Sequence, residues 1–112
     1  MTVPHLNRPL VLEAPLRAGD GAGGYIRDWQ VRGVLWAEVT AGTGRAAADF
    51  ATTVSRVPYR ITVRAAPHGA ASRPVAGQRF RDGDRLFQIT AVAERDSRAR
   101  YLTCFATEET AS

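Results

Sequence analysis

Lysine is absent from this 112-residue chain, and all 15 basic residues are arginine. A GC-rich coding sequence, which favours Arg and Ala codons, accounts for the bias. The guanidinium fork also suits phosphate and carboxylate contacts. With 11 acidic residues the net charge is only +4. The arginine excess therefore assigns no partner by itself, although it lowers the cost of working near nucleic acid. Cysteine is almost absent too. The single thiol, Cys104, excludes an internal disulfide and fits a reducing compartment. Histidine occurs only at His5 and His68, so a zinc site would need several carboxylates gathered from distant segments, and no metal is expected. There is no GxSxG elbow and no Cys/His pairing. No catalytic residue and no cofactor is therefore expected. No apolar run approaches the roughly 20 residues that span a bilayer, which argues against a membrane partner. The opening MTVPHLNRP lacks the basic and apolar regions of a signal peptide.

A content of 45% hydrophobic and 23% charged residues is that of a folded chain. One domain over residues 1–112 is expected. So small a domain buries a limited share of its surface, and partner contacts add to its stability.

Alternation is the dominant pattern. In YRITVR, residues 59–64, Tyr59, Ile61 and Val63 share one face and Arg60, Thr62 and Arg64 the other. Residues 79–107 read as short strand, DGD turn, long strand, charged turn and last strand. A first strand is expected over 6–16, with Pro9 and Pro15 favouring a sheet edge. A second is expected over 29–40, apolar on both faces as in a central strand or one that meets a partner. The others fall at 58–66, 78–82, 85–93 and 99–107, with Leu102, Cys104 and Ala106 facing the core and a frayed tail over 108–112. Residues 17–28 and 67–78 read as loops. Residues 41–57 form a long connection holding at most a short helix, because Thr52, Thr53 and Val54 weaken helix propensity. The fold class is all-β: a small antiparallel barrel or sandwich of about six strands with long loops.

GDGAGG at 19–24 and GTGR at 42–45 resemble phosphate loops but lack the GK[ST] ending and a strand-to-helix setting. Asp82 and Asp84 flank Gly83 as paired carboxylates could, but DG between alternating runs marks a hairpin turn. Arg79, Arg81 and Arg85 surround one turn and Arg95, Arg98 and Arg100 the next, mixed with Asp82, Asp84, Glu94 and Asp96. Mixed signs fit a solvated turn or a salt-bridged surface better than a phosphate groove. No aromatics interleave with them as a stacking platform. A small β-barrel nucleic-acid-binding module remains the alternative reading.

The order of segments is similar to that of a known family. LNRPLVLEAP is followed by a glycine-rich tip, Tyr25, Trp29 and VLWAEV at 34–39. Gly44-Arg45, YRITVR and DGDRLFQITAVAERDSRARYLTC come next. Over residues 5–107 this resembles the head–tail joining (head-closure, or stopper) proteins of long-tailed phages. The alanine- and arginine-rich composition resembles the versions carried by gene transfer agents. The segment 41–57 departs from the family in being richer in alanine. The resemblance implies a non-enzymatic ring, hexameric by preference, at the head–tail junction of a particle assembled in the bacterial cytoplasm. Its partners would be an adaptor or portal-side ring, a tail terminator or tail tube protein, and packaged double-stranded DNA in non-specific contact. Carried over, Arg45, Asp49, Phe50 and Arg56 face the DNA channel. Arg17, Asp20, Tyr25, Arg27, Trp29, His68 and Arg73 lie on loops toward neighbours.

Overall fold

A computed structural model describes residues 3–19, 25–42 and 56–109. The described residues form six strands: β1 (Arg8–Gly19), β2 (Tyr25–Ala41), β3 (Arg56–Arg64), β4 (Arg79–Asp82), β5 (Arg85–Glu94) and β6 (Tyr101–Glu109). All pairings are antiparallel. The sheet closes on itself in the order β1-β2-β3-β6-β5-β4. Among the described residues there is no helix. The expected all-β architecture of about six strands is therefore met, as a barrel.

Period-two alternation builds the core. Leu10 and Leu12, Ala37, Ile61 and Val63, Phe80, Phe87 and Ile89, and Leu102, Cys104 and Ala106 bring every strand into one buried cluster. A six-stranded barrel has a narrow interior, filled by mixing large and small side chains. Phe80 and Phe87 occupy it because Ala37, Cys104 and Ala106 leave room. The outward faces of the same strands carry Arg60 and Arg64 on β3 and Val34 and Trp36 on β2.

Several boundaries differ from the sequence reading. β1 and β2 run on to Gly19 and from Tyr25, so much of 17–28 is strand: cross-strand pairing continues there despite the glycines. β6 starts at Tyr101 rather than 99, because Asp96 folds the preceding residues into a turn. Its carboxylate accepts the Arg100 N–H at 2.8 Å and the Arg100 Nε at 3.1 Å. β6 continues to Glu109, and the fraying expected from 108 does not begin there. The barrel is closed, yet the prolines of β1 fall where that strand is locally an edge. They are tolerated because the β4 ladder covers only Val11–Glu13 and leaves Pro9 and Pro15 outside it. Residues 65–78 form a chain of turns pinned by Gly77 N–H to Ile89 O at 3.0 Å and Ile89 N–H to Gln78 O at 2.9 Å.

Candidate assembly surfaces

The first surface is an arm. β1 and β2 pair from Arg8↔Ala37 to Gly19↔Tyr25, but β3 covers β2 only over Ala37–Ala41. Beyond Ala14↔Gln30 the ribbon has two strands alone. Such a ribbon is marginal unless anchored. Its root is fastened to β4 by a charged stack. The Arg79 guanidinium lies 3.9 Å from the centroid of the Trp29 ring. Its Nε donates to Glu13 Oε1 at 2.7 Å, and Arg81 Nε meets Oε2 at 3.0 Å. Glu13 is only 5% exposed; a buried carboxylate is tolerated because two guanidinium groups share it. At Gly33, φ is +148°. The register steps there from Leu12↔Gly33 to Glu13↔Val31, so Arg32 is the extra residue of a bulge, a conformation glycine adopts without a Cβ penalty.

One end of the barrel holds a second charged cluster. Arg85 donates to both Glu108 oxygens, at 2.7 and 3.1 Å, and to the Tyr59 hydroxyl at 3.3 Å. Its guanidinium also sits 4.9 Å from the Phe87 ring centroid. The hydrogen bond to Arg85 holds the Glu108 carboxyl below its ordinary value against the opposing effect of burial. The same bond raises Arg85. Arg8 pairs with Asp82 beside the β4–β5 turn. At Asp96 burial pushes the carboxyl up, but bonds from the Arg100 side chain and from the Arg100 and Tyr101 N–H groups outweigh it, and the net shift is downward. Burial alone drives the Cys104 thiol up to about 12.

Among the apolar residues left on the outside, two groups stand out. Val34 and Trp36 are 62% and 57% exposed on β2, opposite Val11 and Pro9 of β1. On β6, Phe105 is 39% exposed. It lies in a groove of about 220 Å³ with Pro58, Arg60, Thr90 and Thr107.

The residues singled out from sequence fall in different places. Trp29 is half-buried at the arm root. His68 is exposed. Arg73 donates to Ala66 O at 2.8 Å, which fastens its own loop. Arg17, Tyr25, Arg27 and Arg56 occupy strand positions, with side chains outside the described set. Asp20, Arg45, Asp49 and Phe50 lie outside the described residues, as does most of the long connection. Sequence reasoning missed Glu13 and Glu108. For Glu13 a signal existed: Arg79 and Arg81 project from one face of a strand at period-two spacing, which calls for an acid on the adjoining strand.

No group of three or more His, Cys, Asp or Glu side chains able to hold a metal occurs among the described residues. A closed barrel, a projecting arm, exposed apolar faces and arginines committed to internal carboxylates define a structural assembly module. The family model for phage head completion proteins matches residues 1–109, and the chain belongs to that family. It is similar to a chain in the virion of a native gene transfer agent particle. That match has 56% identity and a TM-score of 0.83, over 98% of this chain and 100% of that one. The resemblance drawn from VLWAEV, YRITVR and DGDRLFQI is thus met, and so is its gene transfer agent form. The chain also matches the solution structure of protein SF1141 from Shigella flexneri 2a at TM-score 0.69 and 19% identity, over 100% of this chain and 99% of that one, which is likeness of fold. No curated protein matches.

Proposed function

We propose that the chain forms a hexameric ring at the head–tail junction of a phage-like particle, closes the DNA channel and presents a platform for the tail. Membership of the phage head completion family makes it a structural component of such a particle. The observation that carries the reading is the 56% identity, over essentially both whole chains, to a component of a gene transfer agent virion. On this reading the barrel supplies a rigid frame, and residues 41–57 with Arg45, Asp49, Phe50 and Arg56 point toward the channel and its DNA. The arm and residues 67–78 face the adaptor, the neighbouring copy or the tail. The role is non-enzymatic.

A nucleic-acid-binding module draws less support. Arg8, Arg79, Arg81, Arg85 and Arg100 are all engaged by carboxylates of the same chain, which leaves little of the turn charge for phosphates.

Deleting the coding sequence from a producing strain tests the proposal. Electron microscopy is expected to show filled heads without tails, with DNA leaking from them. Normal tailed particles would end the reading. DNA binding by the purified chain that falls steeply with salt would favour the alternative.

A further inference from the structure

The two exposed apolar areas lie on different walls of the barrel. In the closed order β1-β2-β3-β6-β5-β4, the first lies on β1 and β2, and the second spans β3, β6 and β5. The first area is an exposed ridge, whose Trp36 also borders a hollow of about 250 Å³ with Leu6, Leu35 and Ala65. Val34 and Trp36 protrude from β2, with Pro9 and Val11 alongside on β1. The second is concave, the groove of about 220 Å³ around Phe105, Arg60 and Pro58. Each lies beside a bulge. Arg32 is the extra residue next to the ridge, and Thr90, whose hydroxyl donates to Phe105 O at 3.0 Å, is the extra residue in the groove. Bulges re-aim neighbouring side chains and are frequent at functional edges.

A twofold contact needs one self-complementary patch; a head-to-tail contact needs two different patches on different sides. A ridge and a groove on different walls meet the second requirement. The groove is smaller than typical small-molecule sites, which start at about 300 Å³, and is of a size to receive an aromatic side chain. The charges agree. Glu38 is two residues from Trp36 on the same outward face. Its carboxylate accepts the His5 N–H at 2.9 Å and has no cationic side chain paired with it among the described residues. In the groove the Arg60 guanidinium likewise has no acidic partner among the described residues.

We propose that the ridge of one copy of this chain packs into the groove of the next, with Trp36 against Phe105 and Glu38 facing Arg60. Copies then associate head to tail. Trp and Arg are the residue types that most often dominate interface energetics. This rests on the ring reading above and adds which walls meet.

Cysteine pairing in assembled particles tests it. Cys104 is fully buried, so introduced surface thiols report alone. Particles carrying the double variant Trp36→Cys, Phe105→Cys are expected to yield, on mild oxidation, a ladder of covalent multimers longer than dimers. Each single variant is expected to stay monomeric. Absence of multimers in particles that contain the double variant overturns the pairing, as do dimers from Trp36→Cys alone. If the double variant does not enter particles, the charges decide. Arg60→Glu and Glu38→Arg should each lower recovery of the chain in particles, and the two together should restore it; no restoration overturns the proposal. Failure of the ring reading is distinguishable, because the wild-type chain would then be present at a single copy per particle. Ring stoichiometry without multimers condemns only these walls.

Discussion

Glu108 lies among the threonines of the run TCFATEET, a context that reads as a loose polar end, yet Arg85 holds it against the barrel. The pair is two-pronged, but the Arg85 side chain is 38% exposed. Solvent therefore screens it, and Glu108→Gln should cost only about 1 kcal/mol at neutral pH. The carboxyl is depressed in the folded state. Its stabilisation is present above the ordinary glutamate value and is lost as pH falls through the folded one. The difference in thermal midpoint between parent and Glu108→Gln is therefore expected to shrink below about pH 4. A gap independent of pH would show that the carboxylate charge plays no part. Cys104 gives a second residue-scale outcome. A thiol held at about 12 inside the barrel should be inert to a thiol-specific disulfide reagent at pH 8 until guanidinium unfolds the chain. Its inward orientation was legible, because Leu102, Cys104 and Ala106 alternate in plain sequence. The role of Glu108 was not, because its partner lies on another strand and the local composition points to coil.

At the scale of elements, turns and alternation could be read directly, and bulges could not. The DGD turn is an example of the first. Asp82 and Arg85 pair, and Gly83 between them has φ +61°, as the first central position of a type II′ turn requires. A Cβ there would meet nothing within 4 Å, so Gly83→Ala acts through backbone strain alone. It should cost about 1 kcal/mol by denaturant titration, with unchanged m-value. A change near zero would mean the turn relaxes to another type. The arm illustrates what stayed hidden. Its glycines suggested loop, while pairing from Ala14↔Gln30 to Gly19↔Tyr25 is a two-body property that no single segment displays. The same holds for the Glu13–Arg79–Trp29 stack at its root. Trp29→Ala should loosen the arm while sparing the core. Amide exchange at Leu16 and Asp28 should quicken, with little change at Ile61 and Cys104.

For the whole molecule, closure of the barrel predicts that folding does not depend on the long connection. The described core draws on all six strands. The strands on either side already meet: Ala41 pairs with Tyr59, and Gly42 N–H donates to Pro58 O at 2.7 Å. Replacing residues 43–55 by a short Gly-Ser link therefore leaves the β2–β3 ladder complete. The cost of closing a loop grows slowly with its length, and the replacement should change stability by no more than about 1 kcal/mol, in the favourable direction. If this segment retains DNA as proposed, the variant barrel should show a thermal transition within a few degrees of the parent, while particles built with it lose DNA to added nuclease. Loss of soluble protein in step with loss of retention would instead make the connection part of the fold, and the channel assignment of Arg45, Asp49, Phe50 and Arg56 would fall with it.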